Sequence, residues 1–104
     1  KYEKKILNKR IIKLKYSEGC VFHQYVVLAK NSARLRLHLD KNKIPYSRHY
    51  PFPLHKLHAV KKMFKNQNYK FSEELAKNGV SLPINPILKS KEIDRVINIL
   101  NNFN

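Results

Sequence analysis

The chain has 104 residues and a formal charge of +15 at pH 7, with 22 Lys and Arg against 7 Asp and Glu. That length supports one hydrophobic core, so residues 1–104 are read as a single domain. The single cysteine, Cys20, excludes an internal disulfide and a CxxC zinc ribbon and points to the reducing cytoplasm; no apolar run approaches the roughly 18 to 20 residues of a membrane span.

The first residue is Lys1 rather than Met, and the first ten residues are mostly charged and polar, which reads as an edge cut from something longer. Residues Arg10 to Tyr16 and Val21 to Ala29 then carry β-branched and aromatic residues at strand density. The polar link Ser17-Glu18-Gly19-Cys20 between them predicts a hairpin. In the second run Phe22, Gln24 and Val26 alternate with His23, Tyr25 and Val27, so both faces of that strand are expected to be covered. Asn31 or Ser32 caps a helix that runs to about Asn42, with Leu35, His38 and Leu39 on one face.

Pro45 ends helical geometry, and Tyr46 to Tyr50 reads as a short extended segment. Three of the five prolines, Pro45, Pro51 and Pro53, bracket the stretch from Pro45 to His55. Fixed φ and missing N–H donors make it a stiff loop that can hold aromatic and imidazole groups at set positions. An amphipathic helix is expected from Leu54 to Phe64, and another opening at Ser72 and closed by Gly79. Val80 to Leu88 is apolar but interrupted by Pro83 and Pro86; Ser90 caps a last helix with Ile93, Val96, Ile97, Leu100 and Phe103 as its apolar stripe. The whole is an α+β domain, a small antiparallel-rich sheet with helices packed on it.

The charge invites a nucleic-acid reading, since Lys and Arg release counterions from phosphates. Lysine outnumbers arginine here and is scattered through every segment, whereas bidentate recognition favours Arg, so a solvated lysine-rich surface is preferred and a basic nucleic-acid-binding module is the alternative. His49, His55 and His58 lie near one another but lack Cys or carboxylate companions at metal-site spacing, so no metal is assigned. There is no Gly-x-Ser-x-Gly elbow and no glycine-rich phosphate loop. The residues of this chain therefore supply no catalytic constellation, and no catalytic residue is named.

From Arg10 to Phe103, a series of elements resembles the C-terminal small domain of the DegT/DnrJ/StrS group of sugar aminotransferases. These are His23-Gln24-Tyr25-Val26-Val27, Leu35 to Leu39, Lys43-Ile44, Arg48-His49-Tyr50-Pro51-Phe52-Pro53-Leu54-His55, Glu73-x-Leu75-Ala76 and Ser81-Leu82-Pro83-Ile84-Asn85-Pro86. The HYPxPLH and SLPxxP elements are its two distinctive marks. The chain departs from the pattern at Ser32-Ala33, where the group often has Arg-Asp, and at Lys70, where it often has Pro.

The resemblance implies a fragment, inactive alone, of an enzyme that uses pyridoxal phosphate (PLP) to carry an amino group from glutamate to a nucleotide-linked keto-sugar. It implies that the cofactor and the Schiff-base lysine belong to an absent large domain, that the partners are that domain, glutamate and a nucleotide sugar, and that the full-length protein is a homodimer. Neither a membrane nor nucleic acid is then expected as a partner. Of this chain's residues, His49 and Tyr50 are the candidates for hydrogen bonds to the sugar or nucleotide and Arg48 for the diphosphate. His55 either fixes the loop through a backbone group or faces the ligand. A non-catalytic interaction domain is the third reading.

Overall fold

The computed structural model describes residues 1–65 and 67–104. The expected hairpin forms, but its paired part is shorter than the apolar runs: β1 is Ile12–Lys13 and β2 is Tyr25–Leu28. β2 is the central strand of three, antiparallel to β1 on one side and to β3 (Gly79–Leu82) on the other. The register sets Tyr25 opposite Leu82 and Val27 opposite Val80. These cross-strand pairs project from one face and meet the apolar stripes of the helices α2 (Ser32–Lys41) and α4 (Ser90–Asn101) in one core. Leu35, Leu39, Leu100, Val27 and Val80 are its fully buried side chains.

Each helix starts and stops for a local reason. The Asn31 side chain accepts the Arg34 N–H at 3.0 Å and caps α2, while the Ser32 hydroxyl donates instead to the carbonyl of Lys77 at 2.8 Å. In α4, Ser90 is the first helical residue rather than the cap; the exposed N–H of Lys89 is met by the Glu92 carboxylate at 2.7 Å. The helix expected from Ser72 begins earlier, as α3 (Lys70–Asn78). Gly79 ends it and opens β3 with an extended backbone, and a Cβ there would lie 2.5 Å from the Leu75 carbonyl oxygen, so the turn needs a residue without one.

Two expectations fail. The single helix from Leu54 to Phe64 is replaced by two short 3-10 turns, Leu54–Lys56 and Lys61–Phe64. Most of its apolar residues find little to pack on, since Leu54, Leu57 and Met63 are all exposed and Phe64 meets only the edge of Tyr69, and a short helix in water is not sustained without such packing. Lys61 and Lys65 would also face each other one turn apart. Conversely, the polar first residues contain a further helix, α1 (Tyr2–Lys5), with Tyr2 and Ile6 in the core. Lys1 and Lys5 both pair with Asp94 of α4, Asn101 accepts the Leu7 N–H at 2.8 Å, and Asn8 donates to the carbonyl of Leu100 at 2.8 Å. The Asp94 carboxyl is held below its ordinary range by the Lys1 hydrogen bond first and Lys5 after it.

Candidate functional site

The proline-bounded segment is attached to the sheet at one residue. Ser47 and Ser81 exchange backbone hydrogen bonds, Ser47 N–H to Ser81 O at 3.1 Å and Ser81 N–H to Ser47 O at 2.8 Å. This adds a single rung on the side of β3 away from β2, so the HYPxPLH and SLPxxP elements lie side by side. Because the residues around Ser47 are extended, neighbouring side chains point in opposite directions. Arg48 and His49 accordingly go to different places.

The His49 ring turns toward β3, with Nδ1 3.0 Å from the Ser81 hydroxyl. Both residues line a cleft of about 300 Å³ together with His23, Gln24, Ser47 and Pro83. His23 and Ser81, which are not among the candidate site residues read from sequence, thus share the cleft with His49. For Ser81 a signal was available in the alternation along its strand, since it is out of phase with the core residues Val80 and Leu82; His23, in phase with Tyr25 and Val27, carried no such mark. The cleft's floor is tied down from behind by Tyr2, whose hydroxyl donates to Pro83 O at 2.8 Å and whose pKa burial pushes up to about 12.

Tyr50 stands edge-on to His49 with ring centroids 5.5 Å apart, but it is 72% exposed. With Pro51, Phe52, Leu54 and Leu57 it forms an outward-facing apolar surface. Arg48 turns the other way: its Nη2 donates to Ala76 O of α3 at 2.8 Å, and its Nε is buried without a hydrogen-bond partner among the described residues. His55 is 7% exposed, stacks against Tyr69 at 4.8 Å, and has Nε2 3.1 Å from a Glu73 carboxylate oxygen. Its partner is thus a side chain of α3 rather than a backbone group. The other Glu73 oxygen takes Lys56 Nζ at 2.9 Å, and the hydrogen bonds from Lys56 and then His55 hold this carboxyl below its ordinary range. The four residues singled out from sequence therefore do not converge: His49 faces the cleft, Tyr50 the apolar surface, Arg48 a second cavity beside α3, and His55 the interior.

Among the described residues no three of His, Cys, Asp and Glu stand together as a metal site, and no helix is long and apolar enough to cross a membrane. The arrangement suits hydrogen bonding to a polar ligand, with imidazole, amide and hydroxyl groups around one cleft.

Comparison with known proteins agrees with this geometry. The chain is 31% identical over 83 residues to the dTDP-3-amino-3,6-dideoxy-alpha-D-galactopyranose transaminase of Aneurinibacillus thermoaerophilus, an alignment that covers 80% of this chain and 23% of that protein. Among solved structures it is similar to the S. venezuelae protein DesV, crystallised with a ketimine intermediate, at 28% identity and a TM-score of 0.76 over 88% of this chain and 25% of the other. It is also similar to the PLP form of a sugar aminotransferase from Streptococcus pneumoniae, at 26% identity and a TM-score of 0.73 over 98% of this chain and 28% of the other. The chain thus spans about a quarter of the length of the relatives it matches. The profile of the DegT/DnrJ/EryC1/StrS aminotransferases matches residues 4–101, and this chain belongs to that family.

Proposed function

We propose that the chain is the C-terminal small domain of a PLP-dependent aminotransferase that transfers an amino group from glutamate to a nucleotide-linked keto-sugar, and that it is inactive by itself. The observation that carries this reading is the meeting of the family's two distinctive elements at one cleft, through the Ser47–Ser81 rung and the His49–Ser81 contact. The enzyme works in the cytoplasm as a homodimer, and the rest of each polypeptide supplies the large domain.

The residues present do not fit the cofactor itself. The residues lining the cleft include no lysine to form a Schiff base and no carboxylate to pair with a pyridine nitrogen. Bound by the large domain, PLP would supply the electron sink for the transfer. This chain's part is to wall the site on the side of the sugar. His49, oriented by the Ser81 hydroxyl, offers its remaining ring nitrogen to a sugar hydroxyl, while Tyr50 braces the His49 ring edge-on from the apolar surface beside the cleft. His55 is a positioning residue: through Glu73 it anchors the end of the loop that carries His49.

The first test is the coding sequence before Lys1. The reading expects an in-frame large domain with a Schiff-base lysine; an independent start just before Lys1, with no large domain encoded nearby, overturns it. With the joined polypeptide, His49→Ala is expected to slow the sugar half-reaction about tenfold, the worth of one hydrogen bond of about 1.4 kcal/mol, and to slow the glutamate half-reaction less. Single-turnover measurements of the two halves separate these outcomes.

A further inference from the structure

Asn8 ties the chain before β1 to the end of α4. Its side-chain amide donates to the carbonyls of Leu100 at 2.8 Å and Phe103 at 2.6 Å, and its Oδ1 accepts the N–H of Arg10 at 2.9 Å. The link from β2 to α2 meets this junction, with the start of α2 fixed by the Asn31 cap. A cavity of about 280 Å³ lies where these segments come together. Ile12, Ala29 and Phe103 give it an apolar lining, Ala29 and Phe103 being core residues and Ile12 partly open to solvent.

Lys9, Arg10, Lys30 and Arg34 line the same cavity, and no carboxylate side chain is among the lining residues. The ion pairs of the described residues are made by Lys1, Lys5, His55 and Lys56, so none of these four cations has a counter-charge at ion-pair distance. A lysine-rich surface alone does not account for the group. Cations are 4 of the 9 lining residues here against 22 of 104 in the chain, and two of the chain's five arginines are among them. Their mutual repulsion favours an occupant of opposite charge.

We propose that this cavity binds a small organic carboxylate, with its apolar body on Ile12, Ala29 and Phe103 and its carboxylate taken by Arg10 and Arg34, Lys9 and Lys30 adding charge. A planar guanidinium matches the two oxygens of a carboxylate better than an ammonium group does. The volume stands at the lower end of ligand cavities, which run from roughly 300 Å³ upward, so the body is a single ring or a branched chain rather than a nucleotide. The cavity shares no lining residue with the His49 cleft and does not rest on the aminotransferase reading.

The test is an NMR titration of the full chain at physiological ionic strength with sodium benzoate, sodium acetate and neutral benzamide. Benzoate carries both the ring and the charge; acetate carries the charge alone and benzamide the ring alone. Saturable shifts with benzoate are expected at the amides of Arg10, Ile12, Lys30 and Arg34, with affinity about tenfold or more above that for either of the others. The variant Arg10→Gln/Arg34→Gln should weaken benzoate about tenfold or more, while Lys61→Gln/Lys62→Gln, with the same loss of charge elsewhere, should change it little. The backbone spectrum of each variant reports whether its fold is intact, and the comparison of the three probes on the parent chain stands without the variants. Equal affinity for benzoate and acetate, equal affinity for benzoate and benzamide, equal weakening by both pairs, or shifts spread over the lysine surface overturns the proposal.

Discussion

Glu73 receives Lys56 on one oxygen and His55 on the other, and both contacts favour its ionised form. A carboxyl whose pKa is lower in the folded chain than in the unfolded one contributes stability that is present above the unfolded value and lost as pH falls through the folded one. Acid unfolding is therefore expected to include a Glu73-dependent component that sets in below the ordinary glutamate pKa of 4.5. Glu73→Gln should flatten that part of the stability-against-pH curve and lower stability at neutral pH, as chemical denaturation at a series of pH values would record. An unchanged acid limb would mean that the loop is held by something else. Because the Glu73 side chain is still 32% exposed and Lys56 beside it is more so, the loss is screened by solvent and belongs to the small range of surface ion pairs. The two glycines offer a second contrast at this scale. Gly79 has an ordinary φ but no room, whereas Gly19 has a φ of +76° and open space. Gly79→Ala should cost about 1–3 kcal/mol by overpacking against the Leu75 carbonyl, and Gly19→Ala about 1–2 kcal/mol through its backbone alone. Urea midpoints of the two variants at constant m measure the difference.

Elements whose stabilising contacts lie within their own apolar stripe were readable from the chain. α2 and α4 follow the three-and-four spacing of their leucines, isoleucines and valines, and the hairpin follows its β-branched runs and the glycine-containing link. Elements whose stability depends on a distant partner were not. α1 is short and lysine-rich, and what holds it is Asp94 and Asn101, some ninety residues away in sequence. The segment from Leu54 to Phe64 has a helical stripe whose Leu54 and Leu57 meet no surface. The same limit applies to the site. HYPxPLH marked the loop, but which way each side chain turns was set by Ala76, Ser81 and Glu73, on α3 and β3. Alternation in an extended segment separates Arg48 from His49, and that signal was available in the chain. The dependence of α1 on tertiary packing predicts that Ile6→Ala, which empties a 2% exposed position, destabilises the domain by about 2–5 kcal/mol. Thermal unfolding should show a lowered midpoint for the whole domain rather than local fraying.

At the scale of the molecule, scattered lysines share the surface with an apolar region on the proline-bounded loop. Tyr50, Phe52, Leu54 and Leu57 are all exposed on consecutive turns of one loop, held there by prolines and by the His55–Glu73 pair. A chain of this charge has no solubility reason to present such a surface, and exposed apolar patches of this kind commonly mark a place where another protein surface sits. The relatives extend about three-quarters of their length beyond the part this chain matches, which provides an occupant: the large domain of the proposed enzyme. Phe52→Ser/Leu57→Ser tests this assignment. Neither side chain belongs to the core cluster, so the pair should leave the unfolding midpoint of the isolated chain within about 0.5 kcal/mol of the parent. Calorimetric titration against a separately produced large domain should show weaker association, and dye binding to the free chain should fall. Reduced stability with unchanged association would instead make this loop part of the domain's own packing. The large domain would then have to dock elsewhere.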